Sequence, residues 1–452
     1  MGNNPEALPP KKTALTIFAT VAMLAAMPHV PGMQRFGLQF PLRTPAQPAA
    51  TAKPEAKAAA TVPSNDPPYS EGFGAAMRHF DEALARSDAR QPGAVTRVLH
   101  YGDSPVTADS ITADMRRLLH ARFGDAGHGY LVIAKPWAWY GHQGMELNAS
   151  GWEIEAATMN RARDGFHGLG GVSFRGGKGA FSKVRFSEGA QDSVDVDYLE
   201  QPGGGSFRIS AGDRVLGEVQ TEGPEKKPGF ASFLLPAGSQ SMELTVTSGQ
   251  VRAFGYDFRK PGPGVVYSSL GLNGAQVQAV LRYFEPGQWT AELRHQNPDL
   301  VVINYGTNES VYPSYIEKDY AKELKGVVLR VRAALPEASI LIMSPMDRGE
   351  RDASGEIVTP PILPRIVEIQ RRTAAELGCA FFDTFDAMGG SGTMGRWYNA
   401  QPRLVSGDFM HPFPAGAAKV GKLLDDALLD GYRRFRDSGQ LMTSARKTAV
   451  RP

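Results

Sequence analysis

The chain has 452 residues, of which 42% are hydrophobic, and this is enough apolar surface to bury more than one folded core. Its 49 basic and 47 acidic side chains leave a net charge of +2, which argues against nucleic acid as the main partner. The single cysteine, Cys379, excludes an intrachain disulfide and a cysteine-cluster metal site, and its apolar neighbours predict a structural role in a buried strand.

The N-terminal residues have the pattern of an export signal. Lys11 and Lys12 precede an apolar run over residues 14–27, which is the length of a signal-peptide core and short for a membrane span. Two prolines then end the run, and no small-x-small cleavage site follows. We therefore predict a signal peptide or signal anchor over residues 1–33. This places the protein in the periplasm or cell envelope, with tethering to the inner membrane as an open alternative.

Two segments have compositions that do not support folding. Residues 34–70 are rich in alanine and proline and contain few large apolar side chains, so they are predicted to be a linker. Residues 438–452 are polar and basic and are predicted to be a flexible tail.

Between these segments, apolar strands alternate with helices. Five strands are predicted, over residues 95–101, 265–270, 300–305, 339–343 and 380–385. The predicted helices cover residues 111–123, 275–284, 315–334, 363–377 and 415–432. The third strand is apolar throughout, as in a parallel sheet covered on both faces. The alternation predicts an α/β fold with a doubly wound, parallel five-stranded sheet, formed by residues 71–140 and 263–437.

Residues 141–262 interrupt this alternation. They contain no convincing helix, and short alternating runs occur instead over residues 182–186, 193–198, 206–210, 242–247 and 251–256. Several short strands at close spacing predict a β-sandwich. Because the parent sheet resumes afterwards, the ends of this insertion are expected to lie near each other. Carbohydrate binding is one role considered for it.

Four short segments each follow predicted strands of the α/β sheet. They are residues 102–104 (Gly-Asp-Ser), 271–274 (Gly-Leu-Asn-Gly), 306–309 (Gly-Thr-Asn-Glu) and 408–411 (Asp-Phe-Met-His). Loops at the carboxyl ends of parallel strands meet in one crevice, so these segments are expected to converge although they are far apart in the chain. Each motif is common alone, and the information lies in their order and placement.

This set of residues suits nucleophilic acyl chemistry. Ser104 is the predicted nucleophile, His411 the base that takes its proton, and Asp408 the carboxylate that fixes the histidine tautomer. The backbone N–H groups of Ser104 and Gly274 and the side-chain amide of Asn308 are the predicted oxyanion donors. The chemistry needs no cofactor and no metal. Motifs of zinc proteases, phosphate-binding loops and the Gly-x-Ser-x-Gly elbow are absent from the sequence.

The four segments together resemble the motif blocks of the SGNH/GDSL hydrolase superfamily. The resemblance covers roughly residues 95–135 and 264–432. It implies a flavodoxin-like three-layer α/β/α domain and a serine esterase with a Ser104–His411–Asp408 triad. One departure is Pro105, where the family usually has leucine or histidine. Because proline restricts the residue before it, Pro105 is expected to alter the turn at Ser104.

The long insertion resembles that of bacterial peptidoglycan and polysaccharide O-acetylesterases, as does the segment 123–130 (Phe-Gly-Asp-Ala-Gly-His-Gly-Tyr). This resemblance implies removal of O-acetyl groups from peptidoglycan or another envelope polysaccharide. Four ring side chains follow the nucleophile segment and are candidates to line a sugar groove, with packing between the domains as the alternative: Trp137, Trp139, Tyr140 and His142.

Two other functions remain open on the sequence. A polysaccharide O-acetyltransferase would use the same triad with a sugar hydroxyl as acceptor. A non-catalytic glycan-binding protein of the envelope would use the β module and would have lost turnover, an alternative for which Pro105 is the only support. In all three cases the partner is an acetylated cell-wall glycan or another polysaccharide.

Overall fold

The computed structural model describes residues 66–438 of the chain. The predicted signal segment, nearly all of the predicted linker and nearly all of the predicted tail lie outside these residues. Within the described part, no helix combines the length and the apolar content needed to cross a bilayer.

Strands and helices are numbered separately in chain order. The strands are β1 (Ser70–Glu71), β2 (Val95–Gly102), β3 (Gly129–Val132), β4 (Met145–Ala156), β5 (Val172–Phe186), β6 (Ser193–Glu200), β7 (Ser206–Ala211), β8 (Arg214–Gln220), β9 (Lys227–Leu234), β10 (Ser241–Ser248), β11 (Gln250–Arg259), β12 (Gly264–Gly271), β13 (Leu300–Asn304), β14 (Ser339–Met343), β15 (Glu350–Arg351), β16 (Ile357–Val358) and β17 (Ala380–Phe382). The helices are α1 (Phe73–Ala76), α2 (Arg78–Asp88), α3 (Ser104–Thr107), α4 (Ser110–Phe123), α5 (Ala279–Tyr283), α6 (Pro286–Gln296), α7 (Pro313–Tyr315), α8 (Ala321–Ala334), α9 (Ile362–Leu377), α10 (Thr384–Ala387), α11 (Thr393–Asn399) and α12 (Pro414–Asp437). A 3₁₀ turn covers Glu309–Val311 and a π turn covers Ile316–Tyr320.

The predicted parallel sheet is confirmed. Its strands lie in the order β12-β2-β13-β14-β17, and the two-residue β1 pairs antiparallel at the outer edge of β17. Numbered by their place in the chain, the five parallel strands run 2-1-3-4-5, which is the flavodoxin-like order. In this order the chain reverses direction across the sheet beside β2, and a crevice opens there at the carboxyl ends of the strands.

The two faces of this sheet are covered by different helices, because successive strand residues point to opposite sides. Val98, Val302 and Leu341 point to one face, where they share a core with α2, α4 and α12. Leu99 and Val301 belong to the core of the other face, which includes α6, α8 and α9. The result is the three-layer α/β/α arrangement that the alternating sequence predicts.

The strands of the predicted β-sandwich are hydrogen-bonded into one antiparallel sheet of nine strands. Seven strands lie in the order β8-β7-β10-β5-β11-β6-β9, while β3 pairs with β11 and β4 pairs with β5. The sheet therefore includes β3, which precedes the predicted start of the insertion at residue 141. β5 has 15 residues and borders β10, β4 and β11, so it connects the two parts of the sheet.

The two ends of the inserted sheet lie side by side. The Ala126 N–H donates to the carbonyl of Val265 at 3.2 Å, and the Lys260 N–H donates to the carbonyl of Ala126 at 2.9 Å. The inserted sheet also shares a core with the α/β domain, since Val196 and Tyr256 belong to the same apolar cluster as Leu99. The described residues 66–438 belong to one compact unit.

Candidate active site

Ser104 lies at the end of β2, as its position after the first strand predicts. It is the first residue of the short helix α3, and it is half-buried. Close packing fixes this helix, because a Cβ atom at Gly271 would lie only 1.9 Å from the backbone nitrogen of Thr107. Glycine at the end of β12 thus allows α3 to approach the sheet and presents Ser104 at its edge.

Pro105 fits this arrangement. It occupies the first turn of α3, where the backbone N–H groups have no partner within the helix. Its missing N–H is therefore no loss. The sequence led us to expect that Pro105 alters the turn at Ser104. In the structure a helix begins at this point, and proline suits the first turn of a helix.

The loop that carries His411 is held from both sides. The Ser406 N–H donates to the carbonyl of His411 at 2.8 Å, and the Gly349 N–H donates to the carbonyl of Phe409 at 2.8 Å. Phe409 has a φ of 58°, in the left-handed region, and its ring meets that of Tyr398 edge to face with a centroid separation of 4.8 Å. These contacts fix the backbone on either side of the imidazole.

Ser104, His411 and Asp408 form a continuous chain of hydrogen bonds. The Ser104 Oγ lies 2.7 Å from His411 Nε2, and His411 Nδ1 lies 2.6 Å from Asp408 Oδ2. The side chains of His411 and Asp408 remain 43% and 49% exposed. The structure thus brings the three predicted residues together at an open surface rather than in a deep pocket.

Four donors stabilise the Asp408 carboxylate. Oδ1 accepts hydrogen bonds from the Ser406 hydroxyl at 2.5 Å and from the N–H groups of Met410 at 3.0 Å and His411 at 3.1 Å, while Oδ2 faces the imidazole. Partial burial acts to raise the pKa of Asp408, but these hydrogen bonds outweigh it and lower the pKa to about 2. Asp408 is therefore ionised at neutral pH. Ser406 was not among the predicted residues, and its only sequence signal is its place two residues before Asp408.

Two of the three predicted oxyanion donors are free. Within residues 66–438, no hydrogen bond uses the N–H of Ser104 or of Gly274. Gly274 is exposed, with a φ of +69° and no atom within 4 Å of where a Cβ would lie, so the space beside its N–H is open.

Asn308 connects the segments that carry these two donors. Its Nδ2 donates to the carbonyl of Ala275 at 2.9 Å and lies 3.4 Å from Asp103 Oδ2. Asn308 thus lies between the residue that follows Gly274 and the residue that precedes Ser104. In this state the amide is engaged by protein oxygens rather than directed at an empty site.

Asp103, which precedes the proposed nucleophile, is a buried acid. No role for it is predicted from the sequence. Burial raises its pKa to about 6, although a hydrogen bond from Thr307 and the proximity of His411 act in the opposite direction. The Gly-Asp-Ser motif marks the residue, but burial cannot be read from the motif.

The four ring side chains proposed for a sugar groove do not behave alike. Trp137, Tyr140 and His142 are buried at no more than 9% exposure, so their proposed place in an open groove is corrected to the interior. Trp139 is 56% exposed, and its Nε1 donates to Asn273 Oδ1 at 3.1 Å. Because Asn273 adjoins Gly274, Trp139 is the one member of the set that lies at the surface beside the site.

Across residues 66–438, no group of three or more His, Cys, Asp and Glu side chains is arranged to hold a metal ion.

Comparison with known proteins gives one family match. Residues 239–419 match the model of the GDSL-like lipase/acylhydrolase family. The matched range contains Gly274, Asn308, Asp408 and His411 but begins after Ser104, which the inserted sheet separates from the other segments. No curated protein sequence matches the chain.

Solved structures show the fold more completely. A peptidoglycan O-acetylesterase has a TM-score of 0.70 at 22% identity, and the alignment covers 81% of this chain and 99% of that one. At this identity the similarity establishes the fold alone. A Bacillus subtilis protein (TM-score 0.32, 12% identity, 68% and 90% coverage) and an acetyl xylan esterase (0.28, 16%, 36% and 80%) are too distant to support further argument.

Proposed function

We propose that this chain is an ester hydrolase of the GDSL-like lipase/acylhydrolase type, and that it removes O-acetyl groups from peptidoglycan or another envelope polysaccharide. The observation that carries the proposal is the hydrogen-bonded chain from Ser104 through His411 to Asp408, with contacts of 2.7 and 2.6 Å. Free N–H groups on two neighbouring loops accompany it.

The reaction follows from these contacts. The Ser104 Oγ attacks the acetyl carbonyl carbon as its proton passes to His411 Nε2, and Asp408 stabilises the imidazolium through Nδ1. The carbonyl oxygen becomes an oxyanion that accepts hydrogen bonds from the N–H groups of Ser104 and Gly274. The Asn308 amide becomes the third donor when its Nδ2 gives up the 3.4 Å contact with Asp103 Oδ2. The sugar oxygen leaves with the proton from His411. Water, activated by the same imidazole, then releases acetate from the acetyl-enzyme and restores the Ser104 hydroxyl.

The openness of the site supports a polymeric substrate. The imidazole of His411 is 43% exposed, so an acetyl group carried on a long chain can reach it without entering a closed cavity. Trp139 offers an exposed ring next to the Gly274 loop, and the flat face of an aromatic ring suits a sugar ring. The similarity in fold to a peptidoglycan O-acetylesterase favours an acetylated cell-wall glycan, and export to the envelope is the matching proposal for location.

The test compares Ser104→Ala with Ser110→Ala, a matched control at the start of the next helix. With p-nitrophenyl acetate and with purified O-acetylated peptidoglycan, we expect Ser104→Ala to lose about 10⁴-fold or more in kcat. Ser110→Ala should keep its activity. Retained acetate release by folded Ser104→Ala protein would refute the proposal.

The same assay separates the rival functions. Acetate should appear free in solution, whereas a transferase would move it to an added sugar acceptor. Covalent labelling of Ser104 by a fluorophosphonate would exclude the non-catalytic binding protein.

A further inference from the structure

Glu309 is a buried carboxylate that contacts two of the site's loops at once. It directly follows Asn308, and its residue exposure is 0%. Its Oε1 accepts a hydrogen bond from the Val277 N–H at 2.7 Å, and its Oε2 accepts one from the Gly306 N–H at 3.0 Å. One carboxylate oxygen is thus committed to each loop.

Both loops carry a proposed oxyanion donor. Val277 lies three residues after Gly274, and Gly306 lies two residues before Asn308. The spacing between the Gly274 N–H and the Asn308 amide therefore depends on how the two loops are held relative to each other.

The parallel sheet itself does not hold these loops together. They follow β12 and β13, and these strands are not neighbours, because β2 lies between them. No ladder of backbone hydrogen bonds can join the two loops directly, so side chains must bridge them over the end of β2, where Ser104 begins α3. Glu309 makes one of these bridging contacts, from its Oε1 to the Val277 N–H, while its Oε2 accepts the Gly306 N–H within its own loop. Gln276, whose Nε2 donates to the carbonyl of Asn308 at 3.2 Å, makes another bridging contact.

A carboxyl in this position is costly to the fold. Burial raises the pKa of Glu309 to about 8, against the opposing effect of the backbone hydrogen bonds it accepts. Among the described residues it has no cationic partner. An apolar side chain would avoid the cost but would leave both N–H groups unsatisfied.

We propose that Glu309 is a positioning residue that holds the Gly274 and Asn308 donors in register over Ser104. It touches no reacting atom and acts through the two loops. The proposal rests on the proposed esterase function and goes beyond it by naming what assembles the oxyanion site.

The test is Glu309→Gln, with Glu309→Asp as a second variant. Glutamine is nearly isosteric, but it accepts only one of the two N–H groups and presents its own NH₂ to the other. We expect kcat for p-nitrophenyl acetate to fall about 10-fold or more, since loss of a whole oxyanion donor costs about 100-fold, while KM stays within about twofold. The rate of fluorophosphonate labelling of Ser104 should fall in step. Aspartate keeps both acceptors on a shorter side chain, so its kcat should lie between wild type and Glu309→Gln.

Asp81→Asn is the matched control. Asp81 is a buried acid on α2 whose pKa burial raises to about 8 as well, and it lies outside the site. The kcat of the Asp81→Asn variant should remain at the wild-type value. Folding of each variant is checked by circular dichroism and thermal unfolding.

The outcomes are distinguishable. Activity in Ser104→Ala would overturn the esterase assignment itself. An inactive Ser104→Ala together with wild-type kcat in folded Glu309→Gln would overturn only the positioning role. The positioning role would also be overturned if KM rose while kcat held, or if neither Glu309 variant folded, since the carboxylate would then serve folding rather than catalysis.

Discussion

The buried acid Asp103 leads to a prediction about how the stability of the fold depends on pH. The Asp103 carboxyl is 4% exposed, and its pKa is raised from 3.8 to about 6 in the folded protein, mainly by burial. Between these two values the native state binds more protons than the unfolded state, so the free energy of unfolding falls as pH rises through this window. Above pH 6 the buried carboxyl is ionised, and this lowers the free energy of unfolding by roughly 3 kcal/mol, at 1.36 kcal/mol per pKa unit.

Asp103→Asn removes this titration. Relative to wild type, the variant should gain roughly 2 to 3 kcal/mol in unfolding free energy between pH 4 and pH 8. Urea unfolding of both proteins at these pH values measures the change. A difference between the two proteins that does not vary with pH would contradict the prediction.

At this scale the sequence is informative about chemistry and uninformative about burial. Ser104, Asn308, Asp408 and His411 stand out because each occurs in a short polar motif after a strand. The buried acids Asp103 and Glu309 belong to two of the same motifs, yet nothing in the motifs says that their carboxyls are enclosed. Burial depends on which distant loops cover a residue, so the structure was needed to find what they contact.

At the scale of single elements, a buried ion pair anchors α4. Arg116 and Asp109 are 4% and 0% exposed, and the Arg116 guanidinium makes a close contact with Asp109 Oδ2. The same carboxylate accepts a hydrogen bond from the Gln143 N–H at 2.8 Å, which ties α4 to the chain just before β4.

We expect Arg116→Met to lower the free energy of unfolding by about 3 to 5 kcal/mol, because it leaves the Asp109 charge buried without its partner. Arg117→Met is the matched control on the same helix. Arg117 is 66% exposed in its contact with Asp114, so its loss should change stability by no more than about 0.5 kcal/mol. Urea unfolding at pH 7 compares the two, and equal effects would rule out the argument.

The element boundaries show where local pattern is sufficient and where it is not. The buried strands β13 and β14 coincide closely with the predicted apolar runs, since an unbroken apolar run leaves few alternatives. The predicted strand over residues 380–385 ends at Phe382, because the Asp383 side chain accepts the Asp386 N–H at 3.0 Å and starts α10. The helix predicted from residue 275 begins only at Ala279, and the Val277 N–H before it bonds to Glu309.

At the scale of the whole molecule, the inserted sheet and the α/β domain are expected to unfold together. They share one apolar cluster, and direct contacts join them. The His295 ring on α6 stacks on Phe230 of β9 at 3.9 Å, and its Nε2 lies 3.3 Å from Asp195 Oδ2 on β6.

Calorimetry of the full chain should therefore show one transition, with equal calorimetric and van 't Hoff enthalpies. Circular dichroism followed in the far and near ultraviolet should give the same midpoint. Two separate transitions would mean that the inserted sheet is an independent domain, joined to the α/β domain only through the chain at its two ends.

The overall architecture could be predicted from the sequence, because the alternation of strands and helices and the order of the four motifs leave few possible topologies. The extent of the insertion could not be predicted. β3 precedes the predicted boundary at residue 141, and its glycine-rich surroundings give no strand signal until its pairing with β11 is seen.

Under the proposed mechanism, the separation of Ser104 and His411 by 307 positions in the chain also sets when the site can work. During synthesis the serine leaves the ribosome long before the histidine, by about 15 to 60 seconds at 5 to 20 residues per second. Throughout that interval the nascent chain has a hydroxyl but no base, and it cannot cleave esters. Chains released before residue 411 are inert for the same reason, so hydrolytic capacity is confined to molecules synthesised past His411.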